Sequence, residues 1–170
     1  VAFFLPSLGG GGAEGVVGNL ALEFAGRGFD VDLVLQRAEG CRLSQVAGSV
    51  RVVDLKAQRM ALSLFPLASY LRWRRPRALL SGLPHSNIIA ILAKRLARVD
   101  SRMVIAEHST LSVAAANSRR LRGRYVPLLA GRIYPWADGI VAVSEGAADD
   151  LAETLRLPRA RIETIYNPVV

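Results

Sequence analysis

One cysteine, Cys41, stands in a chain of 170 residues, so no internal disulfide can form, and a lone thiol fits a reducing, cytoplasmic setting. No apolar run approaches the roughly 18–20 residues that a membrane-spanning helix needs. The start carries no basic residue, and Val1 to Leu5 is too short for the apolar part of a secretory signal. There is no internal repeat and no low-complexity linker. No His, Cys and Asp residues recur at metal-ligand spacing, and no metal is expected. Acids are scarce where bases are dense. Between Arg51 and Arg132 sixteen Lys and Arg face three acids, Asp54, Asp100 and Glu107, within a chain of net charge +8. Such a field favours an anionic partner, whether nucleic acid, a phosphorylated substrate or an acidic membrane surface. The plain alternative is a set of solvated arginine faces.

What the chain does have is a strand-then-helix rhythm. At 51% hydrophobic residues and a mean hydropathy of +0.28 it suits one globular domain with strands buried on both faces. Val1–Leu5 reads as a buried strand that breaks at Pro6. It leads through Gly9–Gly12 into a helix over Val16–Ala25, which ends at Gly26 to Gly28. Glycines at such a turn let a ligand approach the backbone, and the helix start that follows suits a phosphate. Further strands are expected at Val31–Leu35, Ser49–Val53, Ala78–Ser81, Arg102–Ala106, Gly139–Val143 and Arg161–Ile165. Helices are expected at Ala61–Trp73, Pro84–Ala97, Val126–Ala137 and Glu145–Leu155, the last capped by Ser144. A polar connection covers Arg37–Gly48, and Leu111–Arg124 reads as an irregular, basic excursion. The alternation predicts an α/β, Rossmann-like, mostly parallel sheet with helices on both faces. In such sheets the ligand crevice lies beyond the carboxyl ends of the strands. That rule gathers the glycine loop, the Gly82 region, Glu107–Thr110 and Ser144 into one neighbourhood. Val1 already lies in a strand and the chain stops on Asn167-Pro168-Val169-Val170, so residues 1–170 read as one domain of a longer protein.

Gly10 to Gly15 formally matches the G-x-G-x-x-G dinucleotide fingerprint, a pattern that a run of glycines meets easily. The fingerprint also wants an acid at the end of the second strand, where this chain has Leu35-Gln36-Arg37. An NAD site is disfavoured; an NADP-binding oxidoreductase domain that uses Arg37 stays open, although no Tyr-x-x-x-Lys pair supports it. Two basic, aromatic stretches remain. Arg72, Trp73, Arg74 and Arg75 form one, and Arg119, Arg120, Arg122 and Arg124, ahead of Tyr125, the other. Both suit contact with an anionic cytoplasmic membrane leaflet, where each basic residue contributes about 1 kcal/mol. A non-enzymatic membrane- or polyanion-binding module would share them. No recognition helix or RNP-type motif is present, and nucleic acid is not expected.

Four motifs in order carry a more specific likeness: Gly11-Gly12-Ala13-Glu14, Gly26-Arg27-Gly28-Phe29-Asp30-Val31, Asp138 to Glu145, and Ile165 to Val169. The series resembles the amino-terminal half of retaining glycosyltransferases of the family-4 type, with the GT-B fold. The resemblance implies two Rossmann-like domains facing across a cleft, the amino-terminal one mainly for the acceptor. The carboxyl-terminal one, which would follow a segment like Asn167-Pro168, would hold most of the nucleotide sugar. It implies a nucleotide-diphosphate sugar as donor substrate, no further cofactor, and a glycan or lipid-linked acceptor used in polysaccharide or glycolipid synthesis. It makes Gly11 and Gly12 a loop approaching the donor diphosphate, Glu14 a residue that orients the acceptor, and His108 a catalytic-site residue near the transferred sugar. Ser109 and Thr110 would add hydroxyl contacts. The protein would be cytoplasmic and peripheral on the inner membrane face, and this half alone would not transfer sugar.

Overall fold

The computed structural model describes residues 1–117 and 125–167. Among them the chain alternates strands β1 (Ala2–Leu5), β2 (Asp32–Leu35), β3 (Arg51–Asp54), β4 (Ala78–Gly82), β5 (Arg102–Glu107), β6 (Gly139–Ala142) and β7 (Ile162–Thr164). Between them run helices α1 (Gly12–Gly26), α2 (Leu43–Val46), α3 (Leu64–Arg74), α4 (Pro84–Ala97), α5 (Leu111–Ala116), α6 (Val126–Ile133) and α7 (Glu145–Leu155). All neighbouring strands pair in parallel, in the order β3-β2-β1-β4-β5-β6-β7. Period-two alternation sends Ala2 and Phe4 of β1 to one face and Phe3 and Leu5 to the other, and all four are buried. That is why the strand reads as a continuous apolar run. On one face Leu67, Ile91, Tyr134 and Leu151, carried by α3, α4, the turn after α6, and α7, close the larger core. On the other, Val17 and Ala21 of α1 and Val46 of α2 close the smaller one.

The sequence places the elements well and their ends less well. α4 runs over the expected residues, and Ser144 caps α7 by accepting from the Ala147 N–H at 3.2 Å. α1 starts at Gly12, a turn earlier than its first apolar position, because Glu14 reaches back to the helix start. The helix expected over Val126–Ala137 stops at Ile133 and finishes as a 3-10 turn, Tyr134–Trp136, where Pro135 has no N–H to give the α-helical ladder. The basic excursion begins as α5, and a short α2 interrupts the polar connection. Arg119, Arg120, Arg122, Arg124 and Pro168 lie outside the described residues.

Candidate functional site

The order of strands reverses between β1 and β4: β2 and β3 follow on one side, β5 to β7 on the other. A crevice for ligands belongs at such a switch point, beyond the carboxyl ends. Because β1, β4, β5 and β6 are neighbours in that order, the glycine loop, Gly82, Glu107–Thr110 and Ser144 share one rim.

The loop is shaped by one left-handed residue, Gly10 (φ 100°), while Gly11 is extended and forms the N-cap of α1. Glu14 Oε2 accepts from the Gly11 N–H at 3.0 Å, and Glu14 Oε1 accepts weakly from Ser7 Oγ at 3.4 Å. Glycine has no side chain to reciprocate, so this is half of a capping box. Glu14 therefore tightens the loop it sits on. Gly12 borders open space, which leaves the helix start accessible. Behind the loop, Gly40 (φ 123°) packs so closely that a Cβ would stand 2.2 Å from the Leu8 backbone. Leu8 and residue 39 are joined there by a 2.9 Å backbone hydrogen bond.

His108 follows β5 and turns to the α1 side. A Cβ on Gly82 would lie 3.3 Å from His108 Nε2 and 3.5 Å from Val17 Cγ2, so the ring seats over Gly82 against the first helix. The glycine-loop helix and His108 thus meet at one rim. Neither ring nitrogen has a hydrogen-bond partner among the described residues, and both are shielded from solvent. Burial lowers the imidazole pKa and favours the neutral ring. Ser109 is exposed, and Thr110 takes the N-cap position of α5 without a side-chain cap bond.

Glu107, which the sequence places in the same rim neighbourhood, takes a different environment from His108. Glu107 points to the opposite face and is 1% exposed. Its Oε1 accepts from Asn87 Nδ2 at 2.9 Å and from the Tyr134 hydroxyl in a short bond. Its Oε2 has no partner among the described residues. Burial pushes the Glu107 carboxyl up to about 7 against the two hydrogen bonds. One signal was legible: an acid inside a buried strand, in a segment with only two others. Asn87, near the start of α4, faces this carboxyl and the Ala106 carbonyl at 3.1 Å rather than capping its helix. Among the described residues no group of three or more His, Cys, Asp or Glu side chains converges as a metal site would require.

The Arg72–Arg75 stretch lies at the other end of the sheet and is not uniform. Trp73 is 80% exposed. Arg74, expected to present its charge outward, instead donates to Asp32 Oδ2 at 2.9 Å and Asp30 Oδ2 at 3.0 Å and is half-buried. Arg72 donates to the Leu96 carbonyl at 2.8 Å. Arg37, the residue an NADP site would use, pairs with Glu39 at 2.8 Å.

The strand order and the glycine loop at its switch point define a Rossmann-like α/β domain. Residues 10–170 match the family model for Glycosyltransferase Family 4, and the chain belongs to that family. No curated protein sequence matches it. Among solved structures, the lipopolysaccharide outer core galactosyltransferase WaaB in its apo form superposes with a TM-score of 0.73 at 15% identity, over 99% of this chain and 45% of that one. HepE of Anabaena, solved with UDP and glucose, gives 0.73 at 20% identity, over 99% of this chain and 44% of that one. The UDP-N-acetylglucosamine 2-epimerase of Rickettsia bellii gives 0.63 at 15%, over 96% and 44%. At these identities the likeness is one of fold, and the chain spans less than half the length of each of these structures. The fold is that of GT-B amino-terminal domains.

Proposed function

We propose that this chain is the acceptor-side domain of a glycosyltransferase that moves a sugar from a nucleotide-diphosphate donor to a glycan or lipid-linked acceptor with retention of configuration. The observation that carries the reading is the meeting of His108, Gly82 and α1 at the rim of the switch point, next to a glycine loop open at Gly12. In this reading Gly11 and Gly12 turn the start of α1 toward the donor diphosphate, where backbone N–H groups stabilise the charge that builds on the leaving group. Glu14 holds that loop in shape and borders the acceptor, with Ser109 and Thr110 across the rim. Because its ring nitrogens are shielded, His108 meets the transferred sugar through its backbone carbonyl, the ring acting as the anchor that aims it. A second, carboxyl-terminal domain supplies the other wall of the cleft and most donor contacts. HepE, solved with UDP and glucose, supports a nucleotide-sugar donor by analogy of fold. An oxidoreductase reading is not favoured.

The same reading includes a peripheral contact with an anionic cytoplasmic leaflet. Trp73 at 80% and Phe65 at 69% exposure, eight residues apart on the outer side of α3, support it, with Arg75 beside them. No described helix is long and apolar enough to cross a membrane.

The experiment is to express the full-length protein and screen nucleotide sugars for transfer and donor hydrolysis, reading the anomeric configuration of the product by NMR. Retained configuration from a nucleotide sugar is expected. Absence of any turnover, combined with tight NADPH binding, would overturn the reading.

A further inference from the structure

At the amino ends of β4 and β5, where α3 and α4 also finish, an open groove of about 1060 Å³ is lined by Arg72, Arg75, Arg77, Arg98 and Arg102, with Asp100 as the one acid on its walls. Not one of these arginines has a carboxylate oxygen within 4 Å among the described residues, and Asp100 pairs with none of them. Elsewhere among the described residues Arg27, Arg37, Arg51, Arg74 and Arg159 form ion pairs, whereas Arg42, Arg59, Arg95, Arg132, Arg156 and Arg161 form none. Five of the eleven described arginines without an acid thus line this one concavity.

The groove is also built. Arg75 (φ 44°) and Arg98 (φ 53°) are the left-handed C-caps of α3 and α4, so the helix ends fix where each side chain departs. Arg72 is held by the carbonyls of Leu96 at 2.8 Å and Ala97 at 3.4 Å, and Arg75 by that of Arg72 at 3.4 Å. These bonds orient guanidinium groups without neutralising them. The two helix ends contribute only about half a negative charge each. With Asp100 counted as well, an excess near +3 remains, to be matched from outside.

We propose that this groove is a binding site for phosphate groups, separate from the rim that carries His108. A guanidinium presents paired N–H donors that match phosphate oxygens, and several converging on one concavity suit an anion with more than one phosphate. The site lies at the far end of β5 from Glu107, about 17 Å along the strand, so its occupant does not share space with the rim. The proposal does not depend on the glycosyltransferase reading, since its test measures binding alone.

The phosphates belong either to a soluble oligophosphate or to lipid headgroups, and two arms separate the sources. One titrates the protein with tripolyphosphate, following the fluorescence of Trp73, next to Arg72 in the chain. The other uses phosphatidylcholine vesicles with and without phosphatidylglycerol. The test variant is Arg75→Gly with Arg98→Gly, because glycine adopts the left-handed cap at no steric cost and keeps the helix ends intact. Saturable binding by wild type, weakened about tenfold or more in the double variant, is expected for at least one ligand. Loss in the tripolyphosphate arm alone assigns a soluble phosphate; loss with phosphatidylglycerol vesicles assigns a headgroup. The proposal is overturned if neither ligand binds wild type, or if the double variant, folded by circular dichroism, binds as tightly.

Discussion

Two buried carboxylates sit at opposite ends of the same sheet in opposite conditions. Asp32, at the amino end of β2, is 3% exposed and receives the Tyr70 hydroxyl at 2.6 Å and Arg74 at 2.9 Å, with Arg51 at 3.3 Å. Glu107, at the carboxyl end of β5, is 1% exposed and is met by neutral donors on one oxygen only. Burial raises both; at Asp32 the arginines and Tyr70 outweigh it and hold the carboxyl below its ordinary value, whereas Glu107 rises to about 7. The amino end of β2 is thus a closed electrostatic lock. The carboxyl end keeps polar groups incompletely satisfied beside His108, whose ring nitrogens also lack partners among the described residues. The two carboxylates differ in whether opposite charge meets them: Asp32 is held by two arginines, and Glu107 only by neutral donors.

The comparison can be broken at several points. The largest effect is expected at the support of the glycine loop. Gly40→Ala forces a Cβ into the Leu8 backbone at a left-handed φ of 123°, and urea unfolding should show a loss of at least about 4 kcal/mol. Next, Asp32→Ala removes the shared acceptor of Tyr70, Arg74 and Arg51 and should destabilise by about 3 kcal/mol. A loss well under 1 kcal/mol would mean the lock is ornamental.

The pH dependence separates the two carboxylates by sign. Between the unfolded value of 4.5 and the folded value of about 7, the native protein holds a proton on Glu107 that the unfolded chain has released. Its contribution is fully present below that interval and declines by about 3 kcal/mol as pH rises through it. Denaturation followed from pH 5 to 8 should show that decline in wild type and a flatter profile in Glu107→Gln. Asp32, with its lowered value, contributes above 3.8 and loses its contribution as pH falls below it. The smallest stability effect is expected at Gly82→Ala, under about 1 kcal/mol, because the new methyl meets only side-chain atoms, of His108 at 3.3 Å and Val17 at 3.5 Å. Its signature lies elsewhere: the His108 imidazole resonance should shift while that of His85 stays in place.

Much of the architecture was legible along the chain. Buried strands announce themselves as short apolar runs, and Pro84–Ala97 and Glu145–Leu155 carried both their period and their ends. The rim was legible too, since parallel sheets put their loops at one end whatever the side chains. The partners were not. Glu107 bonds Asn87 and Tyr134, which lie 20 and 27 residues away, and Arg74 reaches Asp32 across 42. Nothing in local periodicity encodes which distant donor will face an acid. For the same reason Arg74 read as one more free cation of a basic run.

The amino-acid sequence by itself determined the alternation of strand and helix, the parallel pairing that short apolar strands with helical crossovers require, and the glycine turn after β1. These follow from backbone sterics and from hydrophobic period, both local. Only the tertiary structure decided that β4 lies beside β1, and with it that His108 seats over Gly82, that Asp32 is neutralised while five other arginines gather unpaired, and that Glu107 is buried between α4 and the turn after α6. Strand order brings together side chains far apart in the chain, and burial then sets the energy of each charge by its neighbours.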